Sequence, residues 1–294
     1  MKCLIAYVAT VLIVHASART MTVYNNCPFT IWPAIFTTPG RLRPSQVTGW
    51  TQTSFESVSF SVPDSWGGRI WVSIDWEPIS DLYAMFNVPS QGRRDCDFDV
   101  PNPGPNSCLD GGCVGGLECD PKTGTGVPPA TLAEFNLGAT DNYDVSIVDG
   151  YNLPMKIIND AGCPTPSCPV DLGPNCECPM PLKGPYEPSG FPVGCRSACS
   201  ANLDKDPTNS PNCCTGYYSS PSTCPSSGVQ YYSYFKANCP TAIAYAFDNA
   251  EVTCNQGSTN YNISFSRQAF IQYDDYDCGV RGFSGLGPPM RALF

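Results

Sequence analysis

The chain of 294 residues has one histidine, His15, and it lies in an N-terminal segment that reads as a signal peptide. The mature protein then has no imidazole. That excludes Ser-His-Asp and Cys-His hydrolysis, histidine-ligated metal and histidine proton shuttles. Positive charge is also scarce: 16 Lys and Arg stand against 26 Asp and Glu, for a net charge of −10. This balance offers no electrostatic footprint for nucleic acid or an anionic membrane, so neither is expected as a partner. Charged residues make up only 14% of the chain, which argues against long helices and against charge-driven disorder. No apolar run is long enough to span a bilayer. Acid–base chemistry near neutral pH must therefore fall to carboxyl groups.

Cysteine, proline and glycine are abundant, at 18, 30 and 26 residues. Such a cysteine density in a turn-rich chain points to disulfides formed in an oxidising compartment. Proline and glycine are spread throughout and mark many turns. Lys2, the apolar run Cys3 to Val14 and the A-x-A site Ala16-Ser17-Ala18 form a secretion signature. Residues 1–18 are expected to be removed, leaving Arg19 or Thr20 first in a secreted protein with an odd number of cysteines.

Short extended runs recur at Thr20–Tyr24, Phe29–Trp32, Ser54–Val62, Gly68–Val72, Leu132–Leu137, Tyr143–Val148, Leu153–Ile158, Glu251–Cys254 and Tyr261–Phe265. Pro, Gly or Asn punctuates nearly all of them, which is the spacing of a β-sandwich. Between Cys163 and Cys239 strand patterning fades and cysteines crowd, as in a separate loop-rich lobe held by bridges. Tyr234–Phe247 is the best longer helix candidate, although Pro240 must start or interrupt it.

Several stretches stand out: Tyr24-Asn25-Asn26-Cys27-Pro28, Ile31-Trp32-Pro33, Gly68-Arg69-Ile70-Trp71, Cys96-Asp97-Phe98-Asp99, Pro128 to Phe135, Tyr143 to Asn152, Cys213-Cys214 and Cys239-Pro240. Together they resemble thaumatin-like proteins of the pathogenesis-related, osmotin-like type. The resemblance runs in order from about Thr20 to Phe265. It implies a mainly β fold: a sandwich core, a disulfide-rich helical and looped lobe, a small disulfide-looped lobe, and a cleft between core and helical lobe. The expected divisions are a domain over 19–278 and a tail over 279–294. Within the domain the core takes about 19–93, 128–169 and 240–278, the small lobe 94–127 and the disulfide-rich lobe 170–239.

By the same resemblance the bridges are Cys96–Cys108, Cys113–Cys119, Cys163–Cys254, Cys168–Cys239, Cys178–Cys195, Cys199–Cys213 and Cys214–Cys224. Adjacent Cys213 and Cys214 cannot easily bridge each other, which agrees with two separate partners. Ser266 stands where the family's last cysteine is expected, so Cys27 either pairs with Cys278 or is unpaired. Cys176 has no counterpart and is the expected odd thiol. Residues Val72 to Gln91 interrupt a Gly-Arg-Ile-Trp-Gly-Arg pattern, as a retained intron or a grafted surface loop would. The tail from Arg267 raises the same question, and Asp274-Asp275-Tyr276-Asp277 within it lacks calcium-loop spacing.

The resemblance implies a cleft lined by Arg69, Glu134, Asp144, Asp149 and Asp248. A separate family signature, Thr-Gly-Asp-Cys, reads Asp110-Gly111-Gly112-Cys113 here. Glycoside cleavage needs one protonated carboxyl and one ionised carboxylate, and clustered acids around an arginine can divide those roles. Glu134 is the expected general acid and Asp149 the nucleophile or water-activating base, with Arg69, Asp144 and Asp248 binding substrate. Asp144 and Asp149 are five apart and face opposite sides of a straight strand, so both reach one site only if Asp149 lies in the turn beginning at Gly150. The same cleft can bind a sugar polymer without cutting it. The expected partner is 1,3-β-glucan or another cell-wall polysaccharide, bound by a monomer in an antifungal, defence or cell-wall role. Endo-1,3-β-glucanase activity and a non-enzymatic protein-binding or membrane-active role are the alternatives. No cofactor or metal is expected. Asn262-Ile263-Ser264 is a glycosylation sequon inside an expected strand. Tyr217-Tyr218, Tyr231-Tyr232 and Tyr234 are expected to pack within the disulfide-rich lobe rather than form a sugar platform.

Overall fold

In a computed structural model of the chain, residues 18–74, 96–172, 178–186, 190 and 192–266 are described. Cys176, Cys278, the acidic run 274–277, the segment before Ala18 that was expected to be a signal, and most of 72–91 lie outside them.

Two five-stranded sheets form the body. The first contains β1 (Ala18–Asn26), β3 (Ser57–Pro63), β7 (Met155–Asn159), β8 (Ser167–Cys168) and β10 (Tyr261–Ser266), in the order β3-β1-β10-β7-β8. The second contains β2 (Ile31–Thr37), β4 (Gly67–Ile74), β5 (Leu132–Asn136), β6 (Asp141–Ser146) and β9 (Val252–Cys254), in the order β2-β4-β5-β6-β9. Neighbours are antiparallel except β1 and β10, which run parallel from Met21↔Tyr261 to Asn26↔Ser266.

Strict alternation builds the first sheet. In β1, Met21 and Val23 are fully buried while Thr20 and Thr22 face outward, and β10 repeats this with Ile263 and Phe265 against Asn262 and Ser264. Ile70, Val72, Ala133, Phe135 and Val145 of the second sheet meet this inner face in one core. Asn262 is thus an outward-facing, half-buried residue on a strand paired on both sides.

Strand β2 departs from alternation and is buried along its whole length. Its second face is covered by the small lobe. Trp32 packs on Cys96 and Cys108, and Ala34 and Phe36 join Trp71, Cys113 and Cys119. Pro33 is tolerated because β2 is an end strand of this sheet and the nitrogen of residue 33, like those of Ile31 and Ile35, faces away from β4 toward residues 48–52. The Trp71 indole N–H donates to Gly111 O at 2.7 Å, locking the lobe to the sheet. A Cβ on Gly112 would lie 2.2 Å from Pro105 O, so the aspartate of the family signature has no room at that position.

All seven bridges named from the resemblance are formed. Cys27 is buried at the end of β1, with its Sγ 3.8 Å from Phe265 O. Two expectations need correction. The helix candidate Tyr234–Phe247 is a seven-residue helix, α1 (Tyr232–Asn238), which stops at Cys239 because Pro240 cannot continue it. Val72 and Ser73 are buried members of β4, so an inserted loop cannot begin at Val72.

The tyrosines pack as expected, with one exception. Tyr218 and Tyr232 cover the Cys214–Cys224 bridge, and Tyr231 and Tyr234 lie against the main core. Tyr217 is 74% exposed.

Candidate functional site

Strand register sets the site. Arg69 on β4 lies opposite Glu134 on β5, and Glu134 lies opposite Asp144 on β6. Directly paired residues project to the same face of a sheet, so the three side chains form a row on the outer face. Their sequence neighbours Ile70, Ala133 and Val145 fill the core on the other face, each fully buried. A one-residue slip of β5 would exchange Glu134 for Ala133, so core burial fixes the site's register.

The row extends one strand further. Tyr143 pairs with Val252 of β9, so the next step brings Asp144 opposite Glu251. Glu251 is exposed, and its charge acts on both Asp144 and Glu134. Glu251 was not among the residues picked from sequence. The signal was its place at the head of the Glu251–Cys254 run, and it needed the β6–β9 pairing to be usable.

Asp149 arrives from a turn. Strand β6 ends at Ser146, and Gly150 N–H donates to Ile147 O at 3.0 Å, with Gly150 at φ +96°. A side chain at Gly150 would be strained in that conformation and would also crowd Pro129 at 2.8 Å. This turn places Asp149 beside the row despite its odd spacing from Asp144. Arg69 then contacts two acids: its Nη2 lies 3.2 Å from Glu134 Oε1 and its Nη1 lies 3.6 Å from Asp149 Oδ2. All three side chains are about one-third exposed.

Asp248 has different partners. Its Oδ2 pairs with Lys236 Nζ at 3.0 Å and accepts from Ala244 N–H at 2.9 Å, while its Oδ1 accepts from the Tyr232 hydroxyl at 3.3 Å. The side chain is 1% exposed. These contacts tie α1 to the chain that follows it. The structure therefore joins Arg69, Glu134, Asp144 and Asp149 with Glu251, and gives Asp248 a clamping position.

The carboxyl groups differ in electrostatics. Burial pushes Asp144 up to about 8, helped by the charges of Glu134 and Glu251 and opposed by Arg69. Asp144 is 8% exposed, and its Oδ1 is buried without a hydrogen-bond partner. Burial also raises Glu134, with Arg69 as the main opposing influence and a hydrogen bond from Ser146 as a lesser one. Asp149 is raised by burial and opposed by Arg69. A stability prediction follows for Asp144. Between its ordinary value of 3.8 and about 8, the folded protein holds a proton that the unfolded chain releases. Stability from this group is therefore lost as pH rises through that window. Asp144→Asn should raise the melting temperature relative to wild type at alkaline pH and much less at acidic pH. Equal differences at both ends of a calorimetric pH series would refute it.

These features define a class: a disulfide-clamped, two-sheet β protein carrying one arginine among clustered carboxyl groups on the outer face of one sheet. The model of the Thaumatin family matches residues 25–75 and 82–267, and the chain belongs to that family. A pathogenesis-related thaumatin-like protein 3.5 of Cryptomeria japonica is 35% identical, over 85% of this chain and 91% of its own. Pathogenesis-related protein 5 of Arabidopsis thaliana is 36% identical, over 84% and 90%. A Prunus avium relative named glucan endo-1,3-beta-glucosidase is 34% identical, over 85% and 91%.

Proposed function

We propose that the face around Arg69, Glu134, Asp144 and Asp149 binds 1,3-β-glucan of fungal-type walls, in a secreted monomeric defence protein. The observation that carries this reading is Arg69 held between Glu134 and Asp149 with all three still reachable from solvent. A neutral polyol needs such an array. The guanidinium offers donors to its hydroxyl oxygens, and carboxylates accept from its hydroxyl hydrogens. Asp248 contributes indirectly, by holding α1 and the chain that leads to Glu251.

Hydrolysis is the second reading, favoured by carboxyl groups of unlike environment within one row and by the name of the Prunus avium relative. In that reading Glu134 and Asp149 are proton-transfer groups on either side of Arg69. The test uses purified protein and a soluble 1,3-β-glucan, with binding and new reducing ends scored together. Glu134→Gln should keep binding within a few-fold and lower any cleavage by about 10²–10⁴-fold, the usual worth of a positioned proton-transfer group. Arg69→Glu adds a like charge among acids and should weaken both readouts. Binding without reducing ends selects the non-enzymatic form. Absence of both, in protein with intact bridges, defeats the glucan reading and leaves the protein-binding or membrane-active role.

A further inference from the structure

We propose that Asp144, rather than Glu134, is the resident acid of this site, carrying the transferable proton toward a bound glycan while Glu251 helps to keep it protonated. The choice of ligand rests on the glucan reading above, whereas the location of the proton does not.

The geometry separates the carboxyl groups by the cation they can reach. Arg69 directs one nitrogen to Glu134 and another to Asp149, and both contacts favour the ionised form of those acids. Asp144 makes no ion pair among the described residues, and its buried Oδ1 has no hydrogen-bond donor. An ionised carboxylate left in that state is costly, and a neutral acid is not. The groups facing it complete the argument. From β5 comes Glu134, from the head of β9 comes Glu251, and from β4 comes Arg69, already occupied by its two partners. Lys236, on α1, is engaged by Asp248.

Cross-strand neighbours sit about 5 Å apart at Cβ, so Asp144 lies between two acids at close range. Like charges at that distance do not all ionise together, and the proton settles where no cation competes. Glu251 makes this arrangement stricter by adding a carboxylate on the open side of the row. Asp144 keeps 8% of its surface exposed at the row.

In a cleavage step, the Asp144 O–H bond breaks and its proton goes to the glycosidic oxygen. The bond from that oxygen to the anomeric carbon breaks, with its electron pair staying on the oxygen. Water forms the new bond to the anomeric carbon and gives one proton to Asp149 or Glu134. Solvent exchange then returns a proton to Asp144. In a binding-only protein, the same group acts as a hydrogen-bond donor to a sugar hydroxyl.

The experiment is infrared difference spectroscopy of the full protein across a pH series, wild type against Asp144→Asn, Glu134→Gln and Glu251→Gln. A protonated-carboxyl band should be present at neutral pH, vanish as the pH passes about 8, and be absent from Asp144→Asn alone. Glu251→Gln should move its loss to lower pH. A band removed by Glu134→Gln instead, or no band at neutral pH, overturns the proposal. Calorimetric titration with a soluble 1,3-β-glucan forms the second arm. Wild-type affinity should fall at least several-fold as pH rises through the same range. Asp144→Asn, whose amide keeps a donor but cannot ionise, should stay flat. An equal pH dependence in both proteins overturns the donor role. Absence of glucan binding at every pH sinks the glucan reading, with the infrared result still deciding where the proton resides.

Discussion

Replacing Arg19 by alanine is expected to lower folding stability by about 3–5 kcal/mol, the cost of leaving a buried charge without its partner. Arg19 is 2% exposed although it is only the second residue of β1. Its guanidinium pairs with Asp141 and with Asp64, and Nη2 donates to Gly138 O at 2.7 Å. Asp141, only 1% exposed, also accepts from Gly138 N–H at 3.1 Å and from the Tyr261 hydroxyl at 2.7 Å. The network thus pins β1 to the start of β6 and to β10. Urea unfolding followed by tryptophan fluorescence measures the loss, and less than about 1 kcal/mol, the worth of a surface pair, would show that the network is solvated. Changing Arg19 and Asp141 together to apolar residues should recover much of the difference, since the only charge left unpaired is the partly exposed Asp64. The same contacts bear on processing. Cleavage after Ala18 keeps Arg19, while a mature protein starting at Thr20 lacks it and should show the same instability.

The second large effect concerns the bridge between Cys163 and Cys254, 91 residues apart in sequence. Because the Cys168–Cys239 bridge is nested inside it, the long bridge closes a loop of only about 20 residues in a chain that keeps its other bridges, which chain-entropy arithmetic puts at about 3 kcal/mol, against about 2 kcal/mol for the short loop between Cys113 and Cys119. Replacing both cysteines of the long bridge by alanine should therefore cost about 1 kcal/mol more than replacing both of the short one. Equal losses in parallel denaturation curves would mean that native packing, not loop closure, sets the value. The long bridge also supports the site. Strand β9 has three residues and, among the described residues, pairs only with β6, so Cys254 anchors the strand that presents Glu251. Its removal should shift the titration of Asp144 as well as the melting curve.

Much of this architecture could be read from residue alternation. The runs from Thr20, Tyr143 and Tyr261 alternate because one face of each strand meets the core, and the strands form there. Strand β2 was legible only to Trp32, because alternation ends where the small lobe buries its second face. Two-residue β8 carries no periodic signal at all. Within the site, Arg69 and Glu134 come together through simple register, and Asp149 through a turn flagged by Gly150. The position of Asp248 was not legible, because its ion pair with Lys236 depends on where α1 stops. Nor was the inequality of the acids, since one-dimensional spacing carries no information on which carboxyl an arginine can reach.

The parallel pairing of β1 with β10 sets an order of events during synthesis. Nearly the whole chain lies between Met21 and its partner Tyr261. As the polypeptide emerges, β1 can pair early with β3, but its other edge stays open until the last strand has been made. Contacts of such sequence separation are slow to form, and an unpaired strand edge invites association with other chains. The Arg19 and Asp141 network spans the same gap, because Tyr261 completes it. Expression yield should therefore be governed by how well the nascent chain is shielded before its final thirty or so residues emerge. Truncations just short of β10 should aggregate rather than accumulate as a folded intermediate.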